Sequence, residues 1–150
     1  MTQDAPRGID LGQFTAVFVL AGLLLAWALL WPETGGDLEL GRTNLTIWAT
    51  TILLIPALVL YMFRSLGQAI TNLAHLFWTA ALVTFLFHAW WAVFVIFDGI
   101  ADTFRQQGLL IAGGNFLLLA VWVVDVVLLW IGVRHRFVRI LQIAVRLLAA

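Results

Sequence analysis

Four apolar stretches, each long enough to cross a bilayer, constrain this chain more than any other feature. They run over Phe14–Trp31, Leu45–Phe63, Leu73–Phe97 and Leu109–Val133. A hydrocarbon core of about 30 Å takes roughly 20 residues of helix. Lipid offers the backbone no hydrogen-bond partners, so a spanning segment satisfies its own amides and carbonyls as a helix. Composition decides that these stretches are spans and not the core of a soluble fold. The 150 residues are 63% hydrophobic and 11% charged, with a mean hydropathy of +1.04. A soluble domain has about half its residues apolar and about a quarter charged, and at this size it still exposes about a third of its unfolded surface. The excess apolar surface has to face lipid.

The first stretch is uncharged and stopped by Pro32. The second has Thr43 and Asn44 as capping candidates and ends at Arg64 and Gly67. The first run starts at Phe14, is too long for the apolar region of a signal peptide and has no small-x-small site before Pro32, so it reads as a retained span. The connections Pro32–Asn44, Arg64–Asn72 and Asp98–Gly108 are short. They predict an all-α, up-down-up-down bundle of four transmembrane helices in one domain. The chain has no cysteine, which excludes disulfides, thiolate metal sites and cysteine nucleophiles.

Arginines give the orientation. Arg7, Arg64, Arg134, Arg136, Arg139 and Arg146 would share one side and Arg42 and Arg105 the other, six against two. The bias places both termini in the cytoplasm of a bacterial inner membrane. Glu33, Asp37, Glu39, Asp98 and Asp102 fall in the two outer connections. Trp27, Trp31, Trp48, Trp90 and Trp91 lie toward the outer boundary, Trp78 and Trp130 near the inner one, and Trp122 deeper. Most of them fit the aromatic belts of lipid-facing helices.

After the fourth span the tail carries no acidic residue. On a helical wheel His135, Arg139, Gln142 and Arg146 fall on one arc, with apolar residues over most of the rest. Residues 134–148 therefore read as an amphipathic helix in the cytoplasmic interface, with Arg134, Arg136, Arg139 and Arg146 turned to anionic headgroups or to a partner subunit. Nucleic acid is not expected as a partner.

Polar groups at membrane depth are costly, roughly 2.5–3.5 kcal/mol for an ionised one, and are functional hypotheses. His88 and Asp125 are the clear cases; Asn115, Thr84, Thr79, Thr50 and Thr51 are milder. Helical rise puts His88 about 14 Å and Asp125 about 24 Å below the outer ends of their helices, so a direct pair needs unequal tilt. In the third span Ala81, Thr84, His88, Trp91 and Val95 share a side that should face the bundle or a partner. In the fourth, Gly114, Leu118, Val121, Asp125, Leu128 and Gly132 form a helix-pair seam that buries Asp125 in protein. A protonated carboxyl bonded within the bundle, or an ion pair with a partner subunit, accounts for it. Pro56 should kink the second span, and Gly22 with Ala26 forms a small-xxx-small pair that permits close helix approach.

His75 and His88 lie thirteen residues apart on the third span. That spacing resembles the haem-b ligands of transmembrane cytochromes, which implies a haem-b electron-transfer protein with His75 and His88 as cofactor ligands. The chain departs from that pattern, since no second span carries matching histidines and thirteen steps rotate the two rings by roughly 140°. Size and topology are similar to those of the small subunit of tripartite periplasmic transporters, but its Trp-x-Glu-Glu signature is absent: Trp48 is followed by Ala-Thr-Thr. No hydrolytic motif surrounds Ser65 and no di-metal ligand spacing surrounds the histidines. The reading that follows is a small non-catalytic accessory subunit of a larger membrane complex, with a respiratory or other electron-transfer assembly as host. The alternatives are a transport component, with a proton or ion path through His88 and Asp125, and the haem-b protein.

Overall fold

In a computed structural model the described residues are 8, 10–31, 37–132 and 136–149, and nearly all of them are helical, with no strand among them. Helix α1 spans Leu11–Leu30, α2 Leu38–Met62, α3 Gln68–Trp91, α4 Ile100–Ile131 and α5 Arg136–Ala149. A 3₁₀ turn at Arg64–Leu66 joins α2 to α3, and a π-helical turn at Ala92–Ile96 extends α3. Four helices (α1, α2, α3 with its π turn, and α4) are long and apolar enough to cross a membrane. The chain has the architecture of a multi-pass membrane protein.

Several helix ends move from their sequence-based positions, and capping explains the largest shift. Asp37 starts α2 seven residues before Leu45, its carboxylate accepting from the amides of Glu39 at 3.0 Å and Leu40 at 3.4 Å. A carboxylate there answers the orphan amides and the positive end of the helix dipole. Thr43 and Asn44 are thus interior residues rather than caps. Asp10 caps α1 in the same way through Gly12 at 2.9 Å. The expected Asp98–Gly108 connection is mostly helix, since α4 begins at Ile100. Gly108 breaks it with φ 81° and ψ 163°, a region open essentially to glycine alone. The long apolar segment starts just after it, at Leu109.

The central helix is α3, flanked by α1 and α2 on one side and α4 on the other. Thr43, Thr46, Ala49, Thr50, Leu53 and Ala57 form the buried stripe of α2, against Ala74, Ala80, Ala81 and Thr84 of α3. Small side chains let these two backbones approach closely, the favoured helix contact where lipid removes the hydrophobic drive. The threonines satisfy themselves: Thr43, Thr46, Thr50, Thr51 and Thr84 donate to backbone carbonyls three or four residues earlier on their own helices. On α1 the buried positions are Val17, Ala21 and Ala28, while Gly22 and Ala26 are exposed; the expected small-residue pair points away from the rest of the chain.

Helix α4 is held to α3 mainly by large side chains. Trp78 and Trp122 sit ring to ring at 4.7 Å, and the Trp130 indole N–H donates to Thr79 at 2.9 Å. The buried positions of α4 are Thr103, Ala112, Trp122, Asp125, Val126 and Leu129. The expected seam is therefore rotated: Gly114 is exposed, Leu118, Val121 and Leu128 are half-buried, and only Asp125 of that set is fully enclosed. Trp78 on the facing helix meets Trp122 and sets the contact there, away from the smaller Gly114.

Candidate functional site

Two polar sites lie at opposite ends of α3, and they are built on different terms. The first centres on Asp125, 0% exposed on α4. Its Oδ2 accepts from the Trp78 indole N–H at 2.7 Å and lies 4.0 Å from an Arg146 guanidinium nitrogen of α5. Arg146 is itself only 5% exposed. Its guanidinium lies over the Trp78 ring at 5.0 Å and the Tyr61 ring at 4.2 Å, and donates to the Gln142 carbonyl at 2.9 Å. Arg64 covers the Tyr61 ring at 4.2 Å too.

This arrangement corrects two expectations. Arg146 does not look outward to headgroups or a partner; it turns back into the bundle, because Asp125 is an acid at membrane depth and the tail brings a cation to its level. Trp78 does not face lipid as a belt residue would: it is buried, and its N–H serves the carboxylate. Arg134 lies outside the described residues, as do the side chains of Arg136 and Arg139. Gly132 lets α5 fold back, ending α4 in the left-handed region at φ 75°.

The second site centres on His88, near the end of α3. Its Nδ1 lies 3.1 Å from the Thr43 carbonyl and 3.1 Å from Thr46 Oγ1. Thr46 Oγ1 donates to that same carbonyl at 2.8 Å. A carbonyl only accepts, and the hydroxyl has spent its proton on it, so Nδ1 carries the hydrogen. The hydrogen-bond network thereby assigns the tautomer, and in the neutral ring Nε2 is an acceptor. His88 lines a cavity of about 260 Å³ among α2, α3, the π turn and both segments of α4. Its remaining polar lining comes from Thr103, Gln107 and Asn115. Two irregularities shape the cavity: the π turn widens the end of α3, and the Gly108 break sets Thr103 and Gln107 at an angle to Asn115. Such π turns recur at functional sites.

Aromatic rings join the two sites without a polar link. His88 stacks on Phe85 at 5.9 Å, Phe85 on Trp122 at 5.6 Å, and Trp122 meets Trp78 at 4.7 Å. The column passes from the cavity to the Asp125 carboxylate. Direct contact between His88 and Asp125, left open by their estimated depths, does not occur among the described contacts; each has its own partners.

The remaining candidate residues scatter. His75 is buried on α3 and does not line the cavity, so the two histidines do not share a site, in keeping with their angular separation. The Thr84 hydroxyl bonds within its own helix. Asn115 lines the cavity, is otherwise exposed, and forms no hydrogen bond among the described residues. No cluster of three or more histidine, cysteine, aspartate or glutamate residues able to hold a metal ion gathers among the described residues. Sequence reasoning missed the Asp125–Arg146 pairing, although a lone deep acid and an acid-free basic tail at the same end were a signal for it. It missed the cavity too, which depends on the π turn and on the exact break at Gly108. No known family model, curated protein or solved structure matches this chain.

Proposed function

We propose that the chain is a small accessory subunit of a larger assembly in a bacterial inner membrane, one that serves electron transfer. The observation that carries this reading is the way α4 is held. Beyond the Gly108 break it runs on as a long apolar helix, yet one stripe attaches it to the rest of the chain. Leu109, Leu110 and Leu117 are exposed beside it, Leu110 at 91%, around a step at Gly113 and Gly114. A Cβ at Gly114 would meet no neighbour. A flat, small-residue step on a membrane helix suits close approach of a partner helix.

The choice of host rests on the aromatic column that runs from His88 to Trp78. The proposed orientation, both ends cytoplasmic, rests on the arginine bias. Helix α5 then lies at the inner interface. Ile140, Ile143 and Leu147 are exposed on it and enter the acyl region, while Arg146 is turned inward.

The test is purification from native membranes in mild detergent with and without Gly114→Phe. The expected result is a stoichiometric larger membrane protein with redox-cofactor absorbance, released by Gly114→Phe while the chain itself stays folded. A chain that purifies alone, or a partner indifferent to Gly114→Phe, contradicts the reading.

A further inference from the structure

The cavity beside His88 has a chemistry that the subunit reading does not use. At about 260 Å³ it exceeds the roughly 150 Å³ that holds a benzene ring, so it takes a substituted six-membered ring. Phe85, Phe97 and Phe116 supply aromatic wall, which suits a flat ring by offset or edge contact. No charged side chain among the described residues lines it, so the described lining offers no charge to a phosphate or carboxylate.

Its polar groups are few and directional. His88 is committed to α2 through Nδ1–H, and what its ring has left to offer is an Nε2 lone pair. A ligand meeting that nitrogen has to bring a hydrogen. Asn115 offers an amide, donor and acceptor together, that no described residue engages. Pockets of this kind, apolar walls with a few placed polar groups, are the usual form of small-molecule sites. The helix ends that meet here place it toward one boundary of the bilayer, where an amphipathic ring with an apolar tail resides.

We infer that this cavity binds a hydroxylated aromatic ring of the membrane-quinol type, with one ring hydroxyl donating to His88 Nε2 and a second oxygen on the Asn115 amide. The preference for the reduced ring follows from the tautomer: a hydroquinone donates to Nε2, and a quinone carbonyl, itself an acceptor, meets a lone pair. The proposal concerns binding alone and stands independently of any partner subunit.

The test is equilibrium binding of a short-chain benzohydroquinone, and separately of its benzoquinone, to the full chain in nanodiscs under anaerobic conditions. Saturable hydroquinone binding is expected, at least about ten-fold tighter than the quinone, since each tenfold is a single good hydrogen bond's worth of discrimination. Ala112→Phe, which fills the cavity from a buried wall position, should abolish it, and Asn115→Leu should weaken it about ten-fold. Unchanged circular dichroism and thermal transition certify that each variant is folded; should Ala112→Phe fail that check, Leu119→Trp fills the cavity from two turns further along the same helix face. Absence of saturable binding, equal affinity for both redox forms, or binding indifferent to a folded cavity-filling variant would overturn the proposal.

Discussion

The two ends of α3 handle the same difficulty, a polar side chain at membrane depth, in opposite ways. At the Asp125 end the chain itself supplies partners for one oxygen: an indole N–H and a guanidinium from its own tail meet Oδ2, and two aromatic faces hold the guanidinium. Oδ1 is buried without a hydrogen-bond partner among the described residues. At the His88 end the chain satisfies only half of the ring, through Thr43 and Thr46, and leaves the other half on a cavity. Enclosure on every side is what a structural clasp requires, because an ionised group buried without a partner is costly. A half-satisfied ring beside open volume is what a binding site requires. The contrast teaches that intramembrane depth alone does not distinguish the two roles; open volume beside the unanswered atom does, since Asp125 Oδ1 also lacks a partner among the described residues but is enclosed.

Substitutions can break or sharpen that contrast. The largest effect is expected at Asp125→Leu, which leaves Arg146 enclosed without its anion and should cost about 3 kcal/mol; reversible unfolding in mixed micelles measures it, and amide exchange should show α5 opening. Trp78→Phe keeps the ring under Arg146 but removes the N–H donated to the carboxylate, and by the same unfolding assay should cost about 1.5–3 kcal/mol. Thr79→Val removes the acceptor for the Trp130 indole, an interhelical bond worth about 1 kcal/mol. Thr46→Val at the open end should be the mildest, about 0.6 kcal/mol. Its signature is chemical: His88 loses one anchor, and the ¹⁵N chemical shifts of its ring should report a less uniform tautomer. A Thr46→Val cost that matched Asp125→Leu would erase the distinction between the ends.

Much of this was legible in the chain. Span number follows from length and hydropathy, and the start of the fourth long segment at Leu109 stands where the apolar run begins. Burial of Asp125 followed from the cost of a carboxylate in lipid. Cap choice was less legible, because Thr43 and Asp37 both satisfy the rules for a capping residue. The α4 seam was misjudged by about a quarter of a turn, since periodicity fixes a stripe's spacing and bulky partners such as Trp78 fix its angle. The tail's tertiary contact lay beyond any local pattern: Arg146 lies twenty-one positions from Asp125, and the arc it shares with Gln142 is equally that of a headgroup-facing helix. The cavity was invisible because it is made by departures from regular helix, at Ala92–Ile96 and Gly108, that hydropathy does not register.

The central claim is that Asp125 is held by the chain's own tail. A double-mutant cycle between Asp125→Leu and Arg146→Leu tests it most directly, with unfolding free energy in mixed micelles as the readout. The account predicts that the double variant recovers most of the loss, with a coupling of about 1–3 kcal/mol, because two matched apolar side chains replace a pair without stranding either charge. Additive losses from the two substitutions would contradict it and return Asp125 to the role of a contact for another protein.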